Sequence, residues 1–292
     1  MNTRSNRMLI VSENLSDLKA EVLSWKENNE VVGFVPTMGN LHEGHLSLIR
    51  KIRGCGATKT IVSIYVNPKQ FGPEEDYTKY PRTLDEDIKL LKKLNVDCVF
   101  CPSDKEIYPP NEKNLITTNN PSLMSELCGR YRPGHFYGVL LVVNKLMNIV
   151  RPDIAIFGQK DYQQYILIKD MIQQLFTSID IVLGPIIREN DGLAMSSRNS
   201  YLNPDQRSKA VYLYESLVRA SKKIYKNSGD YMSILDTEIE RLNKDDLNVD
   251  YLELRKTDNL SNVEDYKNIS GQYILLGAIR LGATRLIDNI IL

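Results

Sequence analysis

Short apolar runs alternate with amphipathic stretches through the first 186 residues of the chain. Val31–Val35 is an apolar run ending at Pro36, and from Glu43 to Arg53 the positions Leu46, Ile49 and Ile52 recur at helical spacing. Lys59–Val66 is again strand-like. Thr83 then opens a helix in which Thr83 and Glu86 stand at capping-box spacing and Ile88, Leu91 and Leu94 mark one face; a third strand follows at Val96–Phe100. A helix over residues 137–150 stops at Arg151-Pro152, and strand, helix and strand follow at Ile154–Phe157, Tyr162–Phe176 and Ile179–Leu183. Strands and helices in this alternation form parallel βαβ units covered on both faces. The expected fold is α/β, a Rossmann-like doubly wound parallel sheet.

The pattern changes after Gly184-Pro185. The polar stretch Arg188–Asn203 reads as a hinge or site loop, and Asn203-Pro204 offers N-cap and first-turn residues for a helix reaching Lys226. A further helix over residues 231–243 precedes strands near 249–256, 272–281 and 285–290. This predicts two domains: residues 1–186, and a smaller C-terminal α+β domain over residues 187–292, a lid.

Charge narrows the partners. Thirty-seven Lys plus Arg balance 37 Asp plus Glu, so no global field draws the chain to nucleic acid or an anionic membrane, and a polyanion must be met by a local site. Neither Met8–Val11 nor Val139–Val143 approaches the roughly 20 apolar residues that cross a bilayer. The polar opening Met1–Arg7 with so short an apolar run after it does not read as a secretory signal, and a cytoplasmic protein is expected. Of Cys55, Cys98, Cys101 and Cys128 only one pair has C-x-x-C spacing, without the further ligands of a zinc site; these read as structural thiols.

Two of the three histidines lie three residues apart in Pro36-Thr-Met-Gly-Asn-Leu-His-Glu-Gly-His45, directly after the first predicted strand. If Glu43 begins the helix, His42 and His45 lie at its first turn, where unpaired backbone N–H groups and the positive end of the dipole favour phosphate. Gly39 and Gly44 remove side chains where a nucleotide would press on the backbone. A bare H-x-x-H pair is also compatible with a capping turn.

The surrounding residues are more specific. This segment resembles the HIGH signature of the nucleotidyltransferase superfamily. Together with Tyr65–Phe71, Tyr80–Thr83, Arg132–Phe136, Phe157–Asp161 with Gln163-Gln164, Asp191–Asn199 and Thr284–Asn289, it resembles the pantothenate synthetase (pantoate:β-alanine ligase) family over nearly the whole chain. The resemblance implies an ATP-dependent ligase that condenses (R)-pantoate with β-alanine through a pantoyl adenylate, releasing pyrophosphate and then AMP, and acts as a homodimer. It implies that His45, His42, Lys160 and Arg198 serve catalysis. Met38, Gly39, Asn40, Leu41, Glu43, Gly44, Gly158, Gln159, Asp161, Ile187, Met195, Ser196 and Ser197 join those four in holding ATP, with Met195–Arg198 closing over the triphosphate. Gln159 stands where the family often has Glu. Gln70 and Gln164 contact pantoate, Asn67 and Tyr80 complete the polar side, and Val142 and Val143, with Leu146, supply either an apolar wall or plain core packing. Arg188 and Asp191 anchor the closing loop. His135 lies elsewhere, in the Gly-rich turn Arg132–Gly138 that leads into a helix, and is expected to shape that turn. ATP implies Mg²⁺, whose nearest protein candidates, Glu86 and Asp87, are explained as well by a helix N-terminus; the metal ligands stay unassigned. Another HIGH-type nucleotidyltransferase and a non-catalytic nucleotide-binding regulator are the rival readings, against which Gln70, Gln164 and the Met195–Arg198 loop discriminate.

Overall fold

The computed structural model describes residues 9–111, 118–226, 231–245, 247–264, 266 and 270–292; the polar opening Met1–Arg7 lies outside the described residues. The chain divides into two compact units. One runs to Gly158 and resumes over Leu167–Gly184, and the other comprises Gln159–Ile166 and Pro185–Leu292.

The first unit is built on strands β1 (Ile10–Ser12), β2 (Val32–Thr37), β3 (Lys59–Ile64), β4 (Cys98–Phe100), β5 (Ile154–Gly158) and β6 (Asp180–Gly184). They form a parallel sheet in the order β1-β4-β3-β2-β5-β6. The α/β doubly wound expectation holds. Its helices are α1 (Leu15–Glu27), α2 (Glu43–Gly54) and α3 (Leu84–Lys93), the one-turn α4 (Asp104–Ile107), α5 (Pro121–Met124) and α6 (Cys128–Tyr131), then α7 (His135–Val150) and the greater part of α8 (Tyr162–Gln174). Val35, Ile49, Ile52, Val62, Leu91, Val99 and Ile156 form one apolar cluster, which joins α2 and α3 to the middle of the sheet as their helical spacing requires. From β2 the chain proceeds outward through β3 and β4 on one side and through β5 and β6 on the other. The order therefore reverses between β2 and β5, and ligands of open α/β sheets bind beyond the carboxyl ends of strands at such a point. Thr37 and Gly158 end those two strands.

Two local expectations fail. Thr83 precedes α3 but makes no capping hydrogen bond; its hydroxyl donates instead to Asp87 Oδ2 at 3.3 Å. The single helix expected to run from Pro204 to Lys226 is divided into α9 (Pro204–Lys209) and α10 (Tyr212–Lys226). The first piece is pinned separately: Asn203 and Gln206 cap one another, and Gln206 also reaches the carbonyl of Leu281.

In the second unit, α10 and α11 (Tyr231–Lys244) accompany an antiparallel sheet of β7 (Asn248–Lys256), β8 (Tyr273–Leu281) and β9 (Thr284–Ile291) in the order β7-β8-β9. Leu213, Leu217, Leu252, Leu275 and Ile279 share its core. The sequence reading grouped residues 159–166 with the first unit. They go with the second through Asn289, which bonds the carbonyls of Gln159 and Lys160, and through the Tyr162 hydroxyl on Thr257 O at 2.9 Å. No helix among the described residues is long and apolar enough to cross a membrane.

Candidate active site

The turn after β2 is shaped from below by one buried carboxylate. Thr37 Oγ1 donates to Ser63 O at 2.7 Å and accepts from Gly39 N at 3.2 Å. Gly39 and Asn40 then take positive φ values of 79° and 50°. Glycine is required at the first of these, because a Cβ there would lie 2.9 Å from Ile64 Cγ2 and 3.0 Å from Asp87 Oδ2. Asp87, 1% exposed, accepts Asn40 N–H at 2.9 Å on Oδ2 and Leu41 N–H at 2.8 Å on Oδ1. Burial pushes its pKa up, while these bonds and the one from Thr83 favour the charged form. The carboxylate of Asp87 thus has a place other than the helix-dipole or metal role weighed from the sequence. Both its oxygens face backbone donors.

α2 begins at Glu43, as expected, and the two histidines cap it reciprocally. His42 Nδ1 accepts from Gly44 N at 3.2 Å, and His45 Nδ1 accepts from the backbone N–H of His42 at 3.3 Å; the ring centroids are 4.1 Å apart. A ring nitrogen that accepts carries no proton, so in each neutral imidazole the hydrogen resides on Nε2. Capping and ligand binding are therefore compatible: the bonds that start the helix leave both rings as Nε2–H donors. Glu43, assigned to ATP, turns its carboxylate to Arg50 along the same helix.

Gln70 lies beside this turn, with Nε2 donating to Met38 Sδ at 3.1 Å. It ends a 3₁₀ turn, Pro68–Gln70, capped by Asn67. Asn67, expected on the polar side of the substrate pocket, is engaged within the protein. Its side chain is buried, and both ends of its carboxamide are occupied by Gln70, Gly138, Lys69 and Tyr108. The turn is seated on α7 at Gly138, where a Cβ would come 2.1 Å from Lys69 O. Val142, one helical turn further, and Val143 are buried, as is Tyr80, whose ring meets Phe71 edge-on with centroids 5.9 Å apart. His135 bridges Gln70 O at 2.8 Å and Arg132 Nη1 at 2.9 Å. Since a guanidinium only donates and a carbonyl only accepts, His135 is neutral with its proton on Nδ1. Arg132 is held in turn by Glu75 at 2.6 and 2.7 Å.

The remaining expected residues belong to the second unit. Asn289, 1% exposed, donates through Nδ2 to Gln159 O at 2.8 Å and Lys160 O at 3.1 Å, and accepts from Gln159 Nε2 at 3.1 Å. The Gln159 side chain is thus directed to Asn289. Lys160 Nζ lies 3.7 Å from Asp161, and Gln164 stands in the first turn of α8. Asp288, adjacent on β9, receives Arg188 at 2.6 and 3.0 Å; that guanidinium also stacks 3.7 Å from the Tyr214 ring centroid. Burial raises the Asp288 pKa and Arg188 opposes the rise. Arg188 pairs with Ala194 across a hairpin whose outer carboxylates, Glu189 and Asp191, both hold Arg207 at 2.6 Å. Ile187 O accepts Met195 N at 2.9 Å, and Ser196 caps the 3₁₀ turn Ser197–Tyr201, which carries Arg198. The loop expected to close over phosphate is braced at its root on both sides. Asn289 and Asp87 are the positioning residues that the sequence reading left out or explained otherwise.

Comparison with known proteins decides the family. The model of the Pantoate-beta-alanine ligase family matches residues 10–291. The chain belongs to that family. Among pantoate–β-alanine ligases it is similar to the pantothenate synthetase of Acetivibrio thermocellus, 47% identical over 96% of this chain and 98% of the relative. It also resembles that of Thermotoga neapolitana, 45% identical over 97% and 99%. The crystal structure of pantothenate synthetase from Thermus thermophilus superposes with a TM-score of 0.88 at 38% identity, covering 96% of this chain and 98% of that one. The Francisella tularensis pantoate-beta-alanine ligase, solved with beta-gamma ATP and beta-alanine, gives 0.77 at 34% identity, covering 97% and 98%.

Proposed function

We propose that the chain uses ATP to join (R)-pantoate to β-alanine, with its Mg²⁺ entering as part of the ATP substrate. The observation that carries this reading is the 3.1 Å approach of Gln70 Nε2 to Met38, which sets an amide suited to an acid beside a turn suited to phosphate. Among the described residues no group of three or more His, Cys, Asp or Glu is gathered for a metal, and Asp87 is engaged by backbone N–H groups; the ligands of Mg²⁺ stay unassigned.

A carboxylate acylates an amine poorly until one of its oxygens belongs to a leaving group. In the first step a pantoate oxygen attacks the α-phosphorus of ATP and the bond to pyrophosphate breaks. Gln70 and Gln164 hold the acid with neutral donors, which leave its nucleophilic charge in place. The Nε2–H groups of His42 and His45 donate to phosphoryl oxygens, and Lys160 and Arg198 counter the charge developing on pyrophosphate. Met38–His45, Gly158, Lys160, Asp161, Ile187 and Met195–Arg198 contain the nucleotide, Asp161 at the ribose and Ile187 at adenine, while Tyr80, Val142 and Val143 border pantoate. In the second step the amine of β-alanine attacks the acyl carbon, AMP departs and the nitrogen loses a proton. The same reading makes the enzyme a cytoplasmic homodimer, which sedimentation tests.

Pyrophosphate–ATP exchange tests the reaction. Exchange that requires pantoate, together with AMP formation that requires β-alanine as well, supports it. Exchange driven by a phosphomonoester would favour another nucleotidyltransferase, and nucleotide binding without AMP would favour a regulator.

A further inference from the structure

Asn67 is buried and makes every hydrogen bond its carboxamide allows. Nδ2 carries two hydrogens, which go to Gly138 O at 3.1 Å and Gln70 Oε1 at 3.0 Å; Oδ1 accepts Lys69 N–H at 3.2 Å and the Tyr108 hydroxyl at 2.8 Å. Two of these partners are backbone groups whose roles cannot be exchanged. A peptide N–H only donates and a carbonyl only accepts, so Lys69 and Gly138 together leave one way for the Asn67 amide to face. A reversed Asn67 would set N–H against N–H at Lys69 and oxygen against oxygen at Gly138. Both clashes would leave buried polar groups without a partner, which a buried site disfavours strongly.

The consequence passes to Gln70. Because Asn67 presents hydrogen to it, Gln70 must answer with Oε1, and its Nε2 is thereby turned the other way, toward Met38. Without that partner the Gln70 amide can turn its oxygen outward, and a carboxylate, which only accepts, is repelled by it; a tenfold loss of affinity corresponds to about one amide in ten still facing nitrogen outward. We propose that Asn67 is a positioning residue that fixes the polarity of Gln70, making the pocket a hydrogen-bond donor toward the acid substrate without touching that substrate. Tyr108 supports the arrangement as the second donor to Asn67 Oδ1. This rests on the reading that Gln70 contacts pantoate, and the test separates the two.

The experiment is a double-mutant cycle read by calorimetric titration of the enzyme with (R)-pantoate and, separately, with its primary amide. Gln70→Ala and Asn67→Ala each weaken pantoate binding by about tenfold, and the double variant stays within about twofold of Gln70→Ala, since Asn67 acts only through Gln70. The primary amide, which both donates and accepts, loses less than about twofold on Asn67→Ala. Should Asn67→Ala fail to fold, Tyr108→Phe replaces it in the same cycle with a loss of about threefold. Losses that multiply in the double variant, or an equal loss for the amide, would overturn the positioning role. Undiminished pantoate binding by Gln70→Ala would overturn the underlying assignment of Gln70 itself.

Discussion

Asn289 holds the backbone of Lys160. Its side-chain nitrogen donates to Lys160 O at 3.1 Å and to Gln159 O at 2.8 Å. The neighbouring Asp288 receives Arg188, at the root of the loop bearing Arg198. Two consecutive residues of β9 thus brace the two segments of the second unit to which the proposed reading assigns ATP.

Asn289→Ala leaves two carbonyls without that donor, at a cost of about 1–3 kcal/mol. If the cost falls on the placement of Lys160, KM for ATP rises and kcat falls while KM for pantoate stays the same. Steady-state kinetics with each substrate varied in turn checks this; an effect confined to pantoate would contradict it.

Asp87→Asn replaces one acceptor of the Asn40–Leu41 turn with a donor. The expected result is a stability loss of about 1–3 kcal/mol in denaturant unfolding, with weaker nucleotide binding. Excess Mg²⁺ does not restore the affinity, because Asp87 serves the backbone and not a metal. Recovery at high Mg²⁺ would reverse that assignment.

Acid should loosen the Gln70 turn through Glu75. Burial works against the charge on this residue, but the Arg132 guanidinium overrides it and holds the carboxyl at about 2, against an ordinary 4.5. The folded pKa lies below the unfolded one. The stabilisation is therefore complete above pH 4.5 and disappears as pH falls toward 2, amounting to about 3 kcal/mol at full strength. Unfolding of wild type and Glu75→Gln across this range should show a gap at neutral pH that closes in acid. A gap independent of pH would show that the ion pair is not its source.

The sheet, its βαβ order and the helix start at Glu43 were legible because each follows from local period or capping chemistry. The spacing of Leu18, Val22 and Trp25, which α1 buries, is the same kind of signal and was readable too, though the prediction passed over it. β1 was less visible: it has three residues, of which Ile10 and Val11 are exposed. Positioning side chains leave no period at all. Asp87 meets Asn40 across 47 positions and Asn289 meets Gln159 across 130, so residue type alone could not separate Asn67 as an orienting group from Asn67 as a ligand. Thr83 shows the converse. Its capping spacing was correct, but Asp87, buried on the same helix, competes for the hydroxyl.

The central claim is that His45, as an Nε2–H donor at the start of α2, stabilises transfer of the adenylyl group. Rapid-quench measurement of the two half-reactions in His45→Ala tests it most directly. Removing one such donor costs about 3–4 kcal/mol, so formation of pantoyl adenylate should slow by a hundredfold or more, while attack of β-alanine on preformed pantoyl adenylate proceeds at nearly the wild-type rate. Equal slowing of both half-reactions would contradict the account.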